Sequence, residues 1–296
     1  MLESVIFRFP IKVNMRKKLA QHFLTNRAVI KKIIAAIDPQ KGEVIIEIGS
    51  GHGELTLPLA GVCARTGCRV IAIEKDLGLA KALELRIQDL KENVQIVHAD
   101  AIKFIPSIPK SYVPSSSARG ARLPDGQGSA FGGESYKLVG NIPYYITGYL
   151  FRVLGELEKK PLRCVFMVQK EVAERLVREP HQMNRFAASV QFWAEIKMLR
   201  TVPRENFSPP PRVDSAIVKL ETRGERKGIA GEEYYRAVRI IFQQPRKTIS
   251  NNLRSGYKKE KNLVLDTLKK IGLRGDIRPQ NLSVEDILRI ASSFRE

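Results

Sequence analysis

Short apolar runs alternate with amphipathic stretches over most of the chain. The runs that predict strands lie at residues 44–48, 69–73, 94–98, 136–140, 162–168 and 216–220. Their valine and isoleucine content and their length are typical of strands buried inside a parallel sheet. Between them, apolar residues recur at three- and four-residue spacing, which predicts helices that cover the sheet. The pattern therefore predicts an α/β fold with a mainly parallel sheet.

The pattern changes after Gly224, where strand-like runs give way to helical spacing. Four helices are predicted at residues 232–242, 248–253, 263–271 and 284–294. We therefore predict an N-terminal extension, an α/β domain and a small all-helical domain at residues 1–14, 15–222 and 223–296. Within the α/β domain, residues 107–135 are dominated by Gly, Ser and Pro, which predicts a flexible insertion.

A glycine-rich turn follows the first predicted strand directly. Gly49, Gly51 and Gly53 separate that strand from a helix that we expect to begin near Glu54. A strand, a glycine turn and a helix form the nucleotide-binding unit of Rossmann-like folds, because glycine lets a ligand approach the backbone. The spacing is Gly-x-Gly-x-Gly, unlike the Gly-x-Gly-x-x-Gly of dinucleotide sites. This favours S-adenosylmethionine over a pyrophosphate cofactor.

Carboxylates follow the next two predicted strands. Glu74 comes at the end of the second and Asp100 shortly after the third. Because the carboxyl ends of parallel strands meet at one edge of a sheet, we expect both side chains near the glycine turn. Glu74 suits the ribose hydroxyls of the cofactor, and Asp100 suits an adenine amino group. For Glu74, a surface carboxylate that caps the next helix is the alternative interpretation.

The fourth predicted strand ends in a group of residues that can bind an amine. Asn141, Pro143 and Tyr144 follow residues 136–140. The amide oxygen of Asn141 and the carbonyl oxygen of Pro143 can each accept one hydrogen of an amino group. The ring of Tyr144 can stack on a planar base. We therefore predict that these three residues are catalytic and present a nucleobase amine for reaction.

A proline-rich segment precedes the last predicted strand. Its prolines stiffen the backbone and fix the direction of Phe207. This ring is a second candidate for stacking on the target base. An aromatic residue of the core is an equally good interpretation.

The chain is strongly basic, with 50 Lys and Arg against 31 Asp and Glu and a net charge of +19. Nucleic acid is the favoured partner, and a generally basic surface is the alternative. Cations concentrate around the second predicted helix of the C-terminal domain. We predict phosphate contacts there for Arg246, Lys247, Arg254 and Lys258.

Cysteine use and hydropathy predict an intracellular protein. Cys63, Cys68 and Cys164 form no Cys-x-x-Cys pair. We therefore predict free thiols in a reducing compartment, with neither a disulfide nor a metal site. No apolar run approaches the ~18 residues of a membrane span, and the N-terminal segment lacks the apolar stretch of a secretory signal. The expected location is the cytoplasm, without a membrane partner, and Met15 is an alternative start.

Five segments match, in order and spacing, the motifs of one protein family. They are Gln-His-Phe-Leu (21–24), Glu-Ile-Gly-Ser-Gly-His-Gly-Glu-Leu-Thr (47–56), Gly-Asn-Ile-Pro-Tyr (140–144), Phe-Ser-Pro-Pro-Pro-Arg-Val-Asp-Ser-Ala (207–216) and Arg-Lys-Thr-Ile-Ser-Asn-Asn-Leu (246–253). With these segments, the chain resembles the ribosomal RNA adenine N6,N6-dimethyltransferases over about residues 16–294. Any one segment could arise by chance, but the set is specific.

The resemblance implies a seven-stranded methyltransferase sheet whose last strand is antiparallel, with S-adenosylmethionine as cofactor. It implies dimethylation of two adjacent adenines near the 3′ end of 16S rRNA, in free RNA or in an assembling 30S particle. We expect a monomer that needs no metal. His22 stands where the family usually has Asn, and Ser50 where it usually has Pro. The cofactor contacts carried over by position are His22, Leu24, Gly49, Gly51, Glu74, Asp100 and Asn141.

Two other functions fit parts of the sequence. Macrolide-resistance methyltransferases, which modify one adenine of 23S rRNA, share the Asn-Ile-Pro-Tyr form, whereas the small-subunit enzymes more often have Leu at Ile142. Residues 214–216, 246–253 and 281–285 favour the small-subunit enzymes. A non-catalytic RNA-binding protein of ribosome assembly is the second alternative, and Asn141 argues against it.

Overall fold

The computed structural model describes residues 22–108, 121–122, 129–130, 136–224 and 229–295. The predicted extension at 1–14, Gln21 of the first motif and most of the insertion at 107–135 lie outside these residues. Proximity of Cα atoms divides the chain into two compact units. The sheet unit runs to Ala173 and resumes at Ile196–Thr222, and the helical unit comprises Glu174–Glu195 and the chain from Arg223 onward.

Seven of the strands that the structure describes form one sheet. The strands are β1 (Phe23–Leu24), β2 (Val44–Ile48), β3 (Arg69–Glu74), β4 (Val94–His98), β5 (Ala121–Arg122), β6 (Ser129–Ala130), β7 (Tyr136–Asn141), β8 (Arg163–Gln169), β9 (Ala194–Val202), β10 (Phe207–Ser208) and β11 (Ser215–Thr222). The sheet order is β4-β3-β2-β7-β8-β11-β9. The first five strands in this order are parallel, and β11 pairs antiparallel with β8. The predicted α/β fold and its antiparallel last strand are confirmed.

The remaining strands form two short pairs. β1 pairs antiparallel with β10, and β5 pairs antiparallel with β6. The second pair lies inside the segment for which the sequence predicted only a loop. Pairings of two residues are too short for hydrophobic periodicity to indicate.

The helices agree with the predicted pattern except at their ends. They are α1 (Arg27–Ile37), α2 (Thr56–Thr66), α3 (Leu77–Arg86), α4 (Ala101–Phe104), α5 (Thr147–Glu156), α6 (Lys170–Leu176), α7 (Arg185–Gln191), α8 (Gly231–Ile241), α9 (Ile249–Tyr257), α10 (Lys261–Lys270) and α11 (Val284–Ser293). The helix expected near Glu54 begins at Thr56. Side-chain caps explain several starts, since Asn26, Asp76 and Asp100 accept hydrogen bonds from the first-turn amides of α1, α3 and α4.

Strand β9 has no counterpart in the predicted pattern. It lies at the end of the sheet order, and along it Glu195, Lys197 and Arg200 are exposed, whereas Ala194 and Val202 are buried. An edge strand contacts solvent, so its polar positions conceal the apolar run that a central strand shows.

The prediction of free thiols is wrong for two of the three cysteines. Cys63 and Cys68 form a disulfide, and Cys164 is a buried free thiol. Cys63 lies in the last turn of α2, which ends at Gly67 in a left-handed conformation with φ of 77°. That turn brings the two Cα atoms to 4.5 Å, within the range that a disulfide requires. A spacing of five residues alone could not indicate this turn.

The helical unit has its own hydrophobic core. Helices α8 to α11 pack around buried residues that include Tyr234, Leu253 and Ile287. The side chain of Asn252, which is 1% exposed, donates to the carbonyls of Ile241 and Gln244 and ties α9 to the end of α8. None of the described helices is long and apolar enough to cross a membrane.

Candidate active site

The glycine turn after β2 is a tight backbone structure. The amides of Gly49 and Ser50 both donate to the carbonyl of Ile73 at 2.9 and 3.2 Å. Gly49, Gly51 and Gly53 have φ angles of 72°, 57° and 92°, a region that residues with a side chain rarely adopt. The turn therefore needs glycine for its conformation. An added Cβ atom would meet the ring of Phe23 at Gly51 and the side chain of Leu83 at Gly53, but nothing closer than 4.0 Å at Gly49.

Glu74 holds this turn together. One carboxylate oxygen accepts from the amide of Gly51 at 2.9 Å, and the other accepts from Lys75 and Asp76 at 2.8 and 2.9 Å. The residue is 6% exposed. A carboxylate with three backbone donors is fixed in place. The alternative of a surface carboxylate that caps α3 does not fit, because Glu74 is buried and Asp76 is the cap; Glu74 instead joins the glycine turn to the two residues that precede α3.

Asp100 lies two residues after the end of β4, the third predicted strand, as expected. It caps α4 through the amide of Ile102 at 3.1 Å and pairs with the Nζ atom of Lys75 at 2.9 Å. Burial tends to raise the pKa of this carboxyl, but the bonds from Lys75 and Ile102 outweigh it, so the pKa lies below its ordinary value. Asp100 is therefore a charged acceptor beside Glu74.

Asn141 is oriented by the backbone of His22. Its Nδ2 atom donates to the carbonyl oxygen of His22 at 2.7 Å. The side chain of His22 is held in turn, with Nδ1 at 2.7 Å from the carbonyl oxygen of Pro209. Because the amide nitrogen of Asn141 is held, its oxygen is the atom presented as an acceptor.

The glycine turn and Asn141 adjoin one another. Strands β2 and β7 are neighbours in the sheet, and a Cβ atom added to Gly49 would stand 4.0 Å from the backbone oxygen of Asn141. In the sheet, β3 lies on one side of β2 and β7 lies on the other, so the strand order reverses at β2. Open α/β sheets bind ligands at such a reversal of strand order. The structure therefore brings Gly49, Glu74 and Asn141 to one edge of the sheet.

Pro143 and Tyr144 begin a short turn that leads into α5. The carbonyl of Pro143 accepts from the amide of Ile146 at 3.0 Å and from Oγ1 of Thr147 at 3.3 Å. The hydroxyl of Tyr144 lies 2.9 Å from Oγ of Ser215, which fixes the direction of the half-buried ring. Burial raises the pKa of Tyr144, so the phenol is neutral.

A predicted cofactor contact, Leu24, and a predicted stacking residue, Phe207, are buried in the core. Leu24 and Phe207 are each 4% exposed, and they pair across β1 and β10. Both belong to the hydrophobic cluster that packs α1 on the sheet. With so little exposed surface, the ring of Phe207 offers no open face to a base. This placement supports the interpretation of Phe207 as a core aromatic.

A buried polar atom beside the glycine turn fits a polar ligand. Ser50 is 2% exposed, and its Oγ atom has no hydrogen-bond partner among the residues that the structure describes. Buried hydroxyls normally find a partner. Together with the uncrowded Cα atom of Gly49 and the carboxylates of Glu74 and Asp100, this atom fits a cofactor that carries hydroxyl and amino groups. Gly49, Glu74 and Asp100 are the residues that would hold it.

Two residues of this region belong to the matched motifs but were not among the predicted site residues. Glu47 lies inside β2 at 2% exposure, and its carboxylate accepts from Oγ1 of Thr56 at 2.7 Å. Ser215 holds the hydroxyl of Tyr144. A charged residue within an apolar strand could have drawn attention to Glu47. Nothing in the sequence pattern indicates that Ser215 faces Tyr144.

The predicted RNA-binding cations lie on the surface of the helical unit. Arg246, Lys247, Arg254 and Lys258 are all exposed. The first two precede α9, Arg254 lies in its last turn, and Lys258 caps its C-terminus. The four cations thus flank a single helix about 14 Å long.

Comparisons with known proteins agree with this geometry. The profile of the ribosomal RNA adenine dimethylase family matches residues 12–296. The chain is 38% identical to ribosomal RNA small subunit methyltransferase A of Pelotomaculum thermopropionicum, over 95% of this chain and 92% of that protein. It is 36% identical to the protein of the same name from Dehalococcoides mccartyi, over 92% of this chain and 85% of that one.

Two solved structures share the fold over nearly the whole chain. A dimethyladenosine transferase from Plasmodium falciparum has a TM-score of 0.70 and 26% identity, and it covers 91% of this chain and 96% of its own. The 23S rRNA methyltransferase ErmE has a TM-score of 0.67 and 25% identity, with 92% and 99% covered. By its family profile and its relatives, the chain belongs to the ribosomal RNA adenine dimethylase family.

Proposed function

We propose that the protein uses S-adenosylmethionine to dimethylate N6 of two adjacent adenines near the 3′ end of small-subunit rRNA. One observation carries the proposal. Asn141 stands at the end of β7 beside the glycine turn, with its amide nitrogen held by His22 and its amide oxygen presented as an acceptor. An acceptor fixed beside a nucleotide-binding turn suits an amine that must react with a bound methyl donor.

In this proposal the cofactor lies over the glycine turn. Gly49 would allow its approach, and Gly51 would hold the carboxylate of Glu74 in place through its amide. Glu74 would accept from its ribose hydroxyls, and Asp100 would accept from its adenine amino group. His22 borders the site through the bond from Asn141 to its carbonyl, and Leu24 supports the site from the core. When bound, the cofactor supplies an electrophilic methyl group on a sulfonium centre.

The residues of the base site position the amine. An adenine N6 amine is a weak nucleophile because its lone pair is delocalised into the ring. When the Asn141 oxygen accepts one N6 hydrogen, the nitrogen is favoured in a pyramidal geometry with its lone pair available. Tyr144 stacks on the extruded base, a contact worth about 1–3 kcal/mol in comparable sites. Catalysis then rests on positioning.

Pro143 has a more restricted part in this proposal. Its carbonyl oxygen already accepts from Ile146 and Thr147, and the Thr147 hydroxyl makes the longer bond, at 3.3 Å. The second N6 hydrogen is accepted by Pro143 when that hydroxyl rotates away. Phe207 supports the site from the core and leaves stacking to Tyr144.

The RNA partner docks on the helical part predicted at residues 223–296. The exposed cations around α9 suit contacts with the phosphate backbone, which supplies most of the affinity for RNA. We propose that the protein acts as a monomer on the assembling 30S particle in the cytoplasm. The small-subunit target is supported by relatives named small subunit methyltransferases.

The proposal is tested by incubating the protein with S-adenosylmethionine and unmethylated 30S or 50S particles. Mass spectrometry of digested rRNA then locates the product. We expect N6,N6-dimethyladenosine in the 16S fragment that contains the two adjacent adenines. Product in 23S rRNA alone would identify a macrolide-resistance type of enzyme, and no product with either particle would favour the non-catalytic alternative.

The large-subunit alternative rests on Ile142 and on the likeness to ErmE. Ile142 is 1% exposed, and its amide donates to the carbonyl of Met167. A side chain so deeply buried contacts the core and not a base. The choice of Ile or Leu at this position is therefore a matter of packing, and it does not weigh against the small-subunit target.

A further inference from the structure

A row of aromatic and charged residues begins in the 3₁₀ turn Tyr144–Ile146, directly after the catalytic motif, and continues along α5. Tyr145, Tyr149, Arg152 and Glu156 follow one another at spacings of four, three and four residues. Such positions share one face of a helix. The opposite face is buried and consists of Thr147, Leu150, Phe151, Val153 and Leu154.

Tyr145 and Tyr149 are the aromatic members of the set of large apolar side chains that are exposed in the described part of the chain. Tyr145 and Tyr149 are each 46% exposed, in a unit whose other large apolar groups are mainly buried. Neighbouring Tyr144 differs, because its hydroxyl is held by Ser215 and its ring is half-buried. The chain therefore turns one tyrosine toward the proposed base site and leaves the next two open to solvent.

A cation stands against one of these rings. The guanidinium of Arg152 stands 5.5 Å from the ring centroid of Tyr149, within reach of a cation–π contact, and it is oriented by Glu156 at 3.0 Å. At the other end of the row, burial raises the pKa of the Tyr145 phenol, and the nearby charges of Lys75, which lowers it, and of Asp100 and Glu74, which raise it, place this ring beside the proposed cofactor site. The row thus begins beside the carboxylates of the proposed cofactor site and continues away from Asn141 along α5.

We propose that Tyr145 and Tyr149 form a stacking platform for unpaired RNA nucleotides that flank the target adenine. Tyr145 lies in the 3₁₀ turn and Tyr149 in α5, so the four residues from one to the other span about 6–8 Å along the axis. This exceeds the roughly 3.4 Å that separates stacked bases, so each ring has room for its own base. Stacking on exposed aromatic rings beside cations is how proteins bind single strands without sequence preference. The platform deepens the proposed function and depends on RNA being the substrate.

The experiment measures RNA binding and methyl transfer separately. The probe is a fluorescein-labelled single-stranded RNA of about 12 nucleotides with two adjacent adenines. Its affinity is measured by fluorescence anisotropy at several salt concentrations for Y145A, Y149A and the double variant. Each tyrosine is also replaced by Phe, which keeps the ring, and L85A on α3, whose side chain is 70% exposed, is the matched surface control.

We expect each alanine variant to weaken RNA binding at least about fivefold, and the Phe variants and L85A to bind like the unmodified protein. The slope of log affinity against log salt should stay unchanged, because stacking releases no counterions, whereas K247A should reduce it by about 0.7. S-adenosylmethionine affinity, measured by calorimetry, should stay within about twofold. The KM for unmethylated 30S particles should rise more than kcat falls.

Two results would overturn the platform. Alanine variants that bind the RNA like the unmodified protein would remove its basis. Phe variants as weak as the alanine variants would assign the contact to the phenol hydroxyls instead of the rings. The proposed function is judged separately, by methyl transfer of the unmodified protein to 30S particles, so either proposal can fail while the other stands.

Discussion

At the residue scale, Asn141 is the group on which the proposed chemistry depends. We predict that N141A lowers single-turnover methyl transfer to 30S particles by about 100-fold or more, because an acceptor aligned with the reacting amine is lost. S-adenosylmethionine should still bind measurably by calorimetry. The control is N262A, which changes an exposed asparagine of α10. Near-normal transfer by N141A would remove Asn141 from the mechanism.

Glu47 makes the stability of the folded protein depend on pH. Burial raises the pKa of this carboxyl to about 8; the hydrogen bond from Thr56 opposes the shift, and the charges of Glu54 and Glu74 add to it. A carboxyl whose pKa is raised on folding binds its proton more tightly in the folded state. Its contribution to stability is therefore largest at acidic pH and is lost as pH rises toward 8.

We predict that E47Q removes this dependence. Glutamine is neutral at every pH, and its amide oxygen can still accept from Thr56. The free energy of unfolding, measured with urea, should be similar for both proteins near pH 5 and higher for E47Q near pH 8.5, by on the order of a few kcal/mol. If the two proteins differed in their free energy of unfolding by the same amount at both pH values, the raised pKa of Glu47 would be contradicted.

Single residues also mark the limit of what the sequence could predict. The positions of Gly49, Glu74 and Asn141 could be predicted because each residue ends or follows a parallel strand, and the carboxyl ends of such strands lie at the same edge of the sheet. The disulfide between Cys63 and Cys68 did not, because it depends on the left-handed turn at Gly67. The burial of Phe207 depends on pairing with Leu24, which is distant in the chain.

At the element scale, α8 and α9 are in close contact at a glycine. A Cβ atom added to Gly256 would overlap with side-chain atoms of Ile240. We predict that G256A destabilises the helical unit by about 1–3 kcal/mol, even though alanine is the better helix former. Urea denaturation followed by circular dichroism measures the change.

Gly224 supplies the matched control for this substitution. An added Cβ atom there would meet nothing within 4 Å, so G224A should change stability little. A G256A variant as stable as G224A would contradict the close contact between α8 and α9 at Gly256.

Elements differ in how well their sequences indicate them. The central strands are buried on both faces, so their apolar runs predicted β2, β3, β7 and β8 with bounds accurate to within a residue or two. Strand β9 lies at the sheet edge with polar positions along it, and periodicity missed it. The β1–β10 pair depends on contacts between segments far apart in the chain, which local patterns cannot indicate.

At the scale of the whole molecule, the net charge of +19 should govern how RNA binding responds to salt. We predict that replacing Arg246, Lys247, Arg254 and Lys258 together by alanine reduces the salt slope for single-stranded RNA by about 2–3, since each lost phosphate contact contributes roughly 0.7. Cofactor affinity should not change. An unchanged slope would place the phosphate contacts elsewhere on the chain.

The three backbone bonds of Glu74 have an evolutionary consequence. The carboxylate proposed to bind the cofactor also fixes the glycine turn and the start of α3. A descendant that lost catalysis would therefore still be selected to keep this residue, because its removal would disturb the sheet edge. Glu74 alone is a poor guide to which relatives remain enzymes. The side chain of Asn141 makes one hydrogen bond within the part of the chain that the structure describes, to the carbonyl of His22. It is therefore free to drift once methylation is no longer needed, and so it is the better marker.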